Sequence, residues 1–191
     1  FKHKKMKMLK DLKKDQPIIN TKFKKIENKK KINLKDYIKE AKAILKSNKI
    51  DLGSSFDLEI SHHYGVNKFR KYGCFLFNCI NRKYAKKIVL LFAKQKHPLH
   101  KHKLKEETFQ ILVGILKSNL NGNEKLLYPG DTILVQPGVW HNFSALNEPC
   151  IFEEVSTTSY SNDSFYEDDF INRLTREKRK TRLNNFNTAE L

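Results

Sequence analysis

Between Phe56 and Thr158 the chain repeats one local pattern that limits what it can build. FDLEISHHYG, GCFLFNCIN, KKIVLLFAKQ, ETFQILVGILKSNL, DTILVQPG, HNFSAL and PCIFEEVSTT are short runs rich in β-branched and aromatic residues. Gly, Pro and Asn separate them. Six or more short strands with no helix between them predict an antiparallel sandwich or barrel. LNGNEK carries Asn121-Gly122, a tight-hairpin signal. No repeat of fixed period is present.

The flanks read differently. From Asn33, apolar residues fall at Leu34, Tyr37, Ile38, Ala41, Ile44 and Leu45. That spacing predicts a helix to about Asn48, with Asn33 as N-cap and Asp36 in the first turn. SFYEDDFINRLTREKRKTRL, from Ser164, predicts a second helix capped by Asn162 or Asp163. The expected organisation is a weakly ordered basic segment at 1–32, a barrel domain with flanking helices at 33–183, and a tail at 184–191.

Charge is unevenly placed. The net charge is +17, and residues 1–50 hold 18 lysines against five acidic residues. The excess is therefore an N-terminal feature. It lacks arginine and barely interleaves aromatics, so a solvated surface is expected rather than a nucleic-acid partner. No apolar run approaches 18 residues, so no membrane partner is expected. The basic start FKHKKMKMLK leads into no apolar stretch of signal-peptide type. Cys74, Cys79 and Cys150 form no CxxC pair, which fits reduced thiols and a cytoplasmic location. A chain starting at Phe1 rather than Met reads as a piece of a longer protein, with a preceding catalytic domain as one expectation.

The densest chemistry lies in HPLHKHKLKEETFQILVG, residues 97–114. His100 and His102 are two apart, so on a strand both rings share a face. KLKE allows a bend before Glu107 opens the next strand. GDTILVQPGVWH then supplies a strand, a Pro137-Gly138 turn and His141. Imidazoles and a carboxylate on adjoining strands can close around one divalent ion. His62, His63 and His97 read as structural: the first two point to opposite faces of a strand, and His97 precedes a proline. Phe109, Trp140, Phe143 and Tyr160 read as barrel core more than as sugar platforms.

HxH, four residues, Glu, six residues, Gly, followed by Gly, six residues, Pro-Gly, two residues, His, resembles the two cupin motifs. That resemblance implies a cupin jelly-roll β-barrel, all-β, here with an N-terminal and a C-terminal helix. It implies metal ligation by His100, His102, Glu107 and His141. ISHHYG, INRKYAKK, the 97–114 stretch and FEEVSTTSYSNDSFYED resemble the cupin domain at the C-terminus of some sialic-acid-synthase-family proteins, over roughly residues 35–180. The synthase barrel is absent from this chain, so synthase activity does not carry over. The same block is similar to D-lyxose isomerase, a metal-dependent aldose–ketose isomerase. Lys105 matches that family's Lys two residues before the ligand Glu, and Glu154 its Glu before Val-Ser-Thr. The resemblance implies that both take part in proton transfer. The two glutamates of IFEEV alternate, so one points inward; the resemblance selects Glu154. The short loop between His141 and Glu154 departs from the family's pattern at the substrate pocket.

The expected function is a metal-dependent sugar isomerase acting through an enediolate, in surface-polysaccharide or sialic-acid-type sugar metabolism. A non-catalytic, metal-containing sugar-binding cupin that assists a sialic-acid-type synthase is the second reading. A dioxygenase using the same ligands ranks third. The donor set suits Mn, Fe, Zn, Ni or Co, and the resemblance points to manganese. The expected partners are a small sugar, a second copy of the chain in a homodimer that hides edge strands, and a synthase.

Overall fold

In a computed structural model the described residues are 33–53 and 56–186. The expectations for residues 1–32 and 187–191 lie outside them.

Helix α1, Leu34–Ser47, forms where the spacing predicts it. The Asn33 side chain accepts the Asp36 N–H and the Asp36 carboxylate accepts the Asn33 N–H, closing a capping box worth about 1 kcal/mol. Tyr37, Ile38, Ala41 and Leu45 face inward from it.

Twelve strands follow among the described residues: β1 Phe56–Ser61, β2 Cys74–Asn81, β3 Tyr84–Leu91, β4 His100–Lys101, β5 Glu107–Val113, β6 Leu116–Leu120, β7 Asn123–Leu127, β8 Thr132–Val135, β9 His141–Ala145, β10 Cys150–Thr157, β11 Phe165–Tyr166 and β12 Lys180–Phe186. Short helices α2, Asp169–Arg173, and α3, Arg176–Arg179, precede β12. One sheet runs β12-β1-β2-β3-β10-β5-β8 and the other β11-β4-β9-β6-β7. All strand pairs are antiparallel, so the fold is a two-sheet jelly roll. Asn121 and Gly122 both have positive φ, as the β6–β7 hairpin requires.

The large sheet is buried on two faces, which divides the core. Phe56, Leu58, Phe75, Phe77, Ile88 and Leu90 pack with α1. Val89, Leu91, Phe109, Ile111, Phe143 and Phe152 fill the space between the sheets. Gly114 ends β5 at φ +74°, and a Cβ there would strike the Pro149 carbonyl oxygen, so this turn accepts only glycine. Cys74, Cys79 and Cys150 are all free thiols. No helix among the described residues is long and apolar enough to cross a membrane.

The C-terminal segment corrects the sequence reading. The single helix expected from Ser164 is instead the short strand β11, two short helices and the strand β12. Asp168, not Asn162 or Asp163, caps α2 by accepting the Phe170 N–H. Lys180–Phe186 pairs with β1 along the sheet edge, and residues 184–186 belong to that strand.

Candidate metal centre

His100 on β4 and His141 on β9 are direct cross-strand partners, so their rings meet across the small sheet. His102 follows β4 immediately, and its ring centroid lies 5.1 Å from that of His100. The Pro137-Gly138 turn is tied to this corner because the Gly138 N–H donates to the His102 carbonyl at 2.6 Å. One ring nitrogen from each of these three buried histidines falls within 4.8 Å of the others. Donors about 2.1 Å from a common ion lie about 3–4 Å apart. Glu107 comes from the facing sheet: its Oε2 is 3.2 Å from His141 Nε2 and 3.7 Å from His102 Nε2.

The imidazoles are pre-set as ligands. His100 Nδ1 faces the Pro98 carbonyl at 3.1 Å, His141 Nδ1 the Val139 carbonyl at 3.0 Å, and His102 Nδ1 the Asp163 carbonyl. Those acceptors assign the proton to Nδ1 and turn each Nε2 lone pair inward. Burial, then the neighbouring histidines, keep His100 well below its ordinary pKa. Burial, then Lys105, take His102 down to about 4. Both are therefore neutral near pH 7, as ligation requires. Burial opposes ionisation of Glu107, but Lys105 beside it holds the carboxyl well below the usual range. Glu107 Oε2 and His141 Nε2 are buried with no hydrogen-bond partner, although they face each other. A divalent cation between them satisfies both lone pairs, so the residues present fit a metal.

A charged chain continues from Glu107. Its Oε1 contacts Lys105 Nζ. Lys105 Nζ reaches Glu154 Oε1 at 3.1 Å, and Lys87 Nζ reaches the same oxygen at 2.6 Å. All four side chains are buried. Burial works against charge on Lys105, but Glu107 and Glu154 keep its pKa above the ordinary value. Lys87 is shifted down by burial despite Glu154. Glu153 points outward to Lys86 at 2.8 Å, so Glu154 is the glutamate of this pair inside the barrel. A cavity of about 660 Å³ opens onto His100, His102, Glu107, Lys105, Lys87 and Glu154.

Lys87 escaped the sequence reading, although it lies in phase with Ala85, Val89 and Leu91 on the inward face of β3. Tyr166 also escaped it. It lines the cavity, stacks on His100 with centroids 5.6 Å apart, and meets His63 Nε2 through its hydroxyl at 3.0 Å. His97 is buried, and its ring stacks on Phe143 with centroids 4.7 Å apart. His62 faces Thr181 Oγ1 at 3.0 Å. Phe109 and Phe143 are core, whereas Tyr160 is exposed at the cavity and Trp140 lies under Lys101.

Asp163 organises the bend that carries Lys105. Its carboxylate accepts the N–H groups of Lys103, Leu104 and Lys105 at 2.8–3.2 Å, while its carbonyl holds His102. Asp163→Asn swaps an acceptor oxygen for a donor facing those N–H groups. The expected result is metal affinity lower by about 10- to 100-fold, measured by chelator competition. Unchanged affinity would show that the bend does not position the ligands.

A model for the cupin domain matches residues 88–156. No curated protein gives a significant sequence match. Among solved structures, the chain is similar to KdgF from Halomonas sp. at 14% identity, covering 47% of this chain and 82% of that one, with a TM-score of 0.44. It is similar to the DMSP lyase DddQ from Ruegeria pomeroyi DSS-3 at 20% identity, with coverages of 49% and 51% and a TM-score of 0.45. It is similar to a proposed sugar phosphate isomerase from Acidithiobacillus ferrooxidans ATCC 23270 at 15% identity, with coverages of 44% and 60% and a TM-score of 0.40. The matched segment contains all four candidate ligands, and with two facing antiparallel sheets around it the fold is a cupin jelly roll.

Proposed function

We propose that this cavity interconverts the aldose and ketose forms of a sugar, with a divalent ion held by His100, His102, Glu107 and His141. Manganese is the metal implied by the sequence resemblance, and the three imidazoles and one carboxylate suit it. The ion, when bound, would polarise the carbonyl of a hydroxy-aldehyde or hydroxy-ketone.

The observation that carries this reading is the state of Glu154. Both ammonium groups sit on its Oε1, which leaves Oε2 for a ligand in the cavity. Oε2 takes the proton from the carbon beside the carbonyl, exchanges it with solvent through the open cavity, and delivers a proton to the neighbouring carbon. One C–H bond breaks and one forms, so no oxidant or reductant is needed. Lys105 donates to the oxygen where negative charge develops and passes the hydroxyl proton between the two oxygens. Lys87 fixes the carboxylate in place.

The test is solvent deuterium uptake. Manganese-loaded protein is incubated in D2O with pentoses, hexoses and their ketoses, and sugar masses are read. Label at one carbon-bound position, abolished by EDTA, is the expected result. No label on any sugar with the metal site filled would sink the isomerase reading and favour a binding module.

A further inference from the structure

The cavity has a second charged wall that the chemistry above does not use. Arg176, Lys180 and Arg182 line the same space as His100, His102 and Glu107. Pairing of β12 with β1 puts Arg182 opposite Glu59 and Lys180 opposite Ser61. Buried Glu59 accepts from Arg176 Nη2 at 2.8 Å and from Lys180 Nζ at 2.6 Å. Arg182 Nη2 donates to Asp57 Oδ2 at 2.7 Å. The side chains grade from inside to rim, with Lys180 16%, Arg176 34% and Arg182 52% exposed.

Each arginine gives one nitrogen to its carboxylate, and a guanidinium has five N–H donors. Both arginine side chains are partly exposed, so their remaining donors are available to the cavity or to solvent. Charge points the same way. Lys87, Lys105, Arg176, Lys180 and Arg182 line the cavity against Asp57, Glu59, Glu107 and Glu154, five cations to four carboxylates. A divalent ion would add two positive charges. A neutral sugar leaves that excess uncompensated in a partly enclosed space, whereas an anionic oxygen group offsets it and suits a guanidinium fork.

We propose that Arg176, Lys180 and Arg182 recognise an anionic group, a carboxylate or a phosphate ester, on the sugar that enters this cavity. The inference rests on the reading above in taking the ligand to be a sugar. Glu59 and Asp57 act as positioning residues that hold the cations at the wall.

The test is calorimetric titration of the full chain, metal-free and manganese-loaded, with D-glucose 6-phosphate, D-glucuronate, inorganic phosphate and D-glucose. At least one anionic sugar should bind about tenfold or more tightly than D-glucose. Which of the two does so separates phosphate from carboxylate. Arg176→Gln and Arg182→Gln should each reduce that preference about tenfold, and added salt should reduce it in the wild type. Equal affinity for neutral and anionic sugars, or no saturable binding of any anion, overturns the proposal. Variants that lower Tm but keep the preference also overturn it, because they reduce the wall to a clamp for β12. Anion preference without deuterium exchange would keep this wall and remove the isomerase. Exchange on neutral sugars without anion preference would do the reverse.

Discussion

Glu154→Gln is expected to lower kcat/KM about a thousandfold, within the range for loss of a general acid–base group. The amide matches the carboxylate in shape and its oxygen can still accept from a lysine, but it takes no proton from carbon. Glu154 is not a proposed ligand, so metal content measured by atomic emission should stay at the wild-type level. Stability should fall, because Lys87 is buried and loses its carboxylate, whereas Lys105 keeps Glu107. Turnover must therefore be scored per folded molecule, with circular dichroism as the check. Glu153→Gln is the matched control: one residue away, outside the barrel and paired with Lys86, it should change turnover less than twofold. Turnover of the Glu154→Gln protein within tenfold of wild type would remove Glu154 from the chemistry.

Sequence patterning reaches the barrel strands because their turn residues are informative. Asn121-Gly122 defines the β6–β7 hairpin, and the spacing from His100 to Gly114 puts two imidazoles and a carboxylate at one corner. Patterning fails at Lys87 for a physical reason. β3 is buried on both faces, with Ile88 and Leu90 under α1 and Val89 and Leu91 in the barrel. The apolar run is continuous, and the phase that would mark Lys87 as inward is hidden. The C-terminal segment fails for another reason. REKRKTRL is rich in helix formers, but the edge of β1 offers unpaired backbone groups, with Glu59 and Asp57 beside them. Pairing there, with ion pairs to Lys180 and Arg182, overrides local propensity. Asp163 was legible as a cap, but it caps the 103–105 bend rather than a helix, a contact across 58–60 residues that no local window contains.

Acidification is expected to destabilise the metal-free protein well above the pH at which its carboxylates titrate. Burial, then Lys180, lower His97 to about 3, and burial, then Lys105, lower His102 to about 4. In the unfolded chain each imidazole takes a proton near pH 6.5. Between those values the unfolded state binds more protons, so stability rises with pH and falls as pH drops below about 6.5. Each histidine contributes about 1.4 kcal/mol per pH unit, so the pair costs roughly 5 kcal/mol between pH 6.5 and 4.5. His63 and His100 are also pushed well below their ordinary value, chiefly by burial, and act in the same direction. Glu59 does not contribute in this window. Burial raises it, Lys180 and Arg176 more than reverse that, and its stabilisation is present above the unfolded carboxyl range and lost only below it. A loss of about 5 kcal/mol is a large part of the 5–15 kcal/mol that holds a typical domain folded. Urea midpoints in EDTA from pH 7.5 to 4.5 measure it. His97→Phe, which keeps a ring against Phe143, should flatten the slope by about 1.4 kcal/mol per unit. A flat profile above pH 5 would mean that these histidines take up protons in the folded protein, and the neutral ligand set proposed for the metal would fall with it.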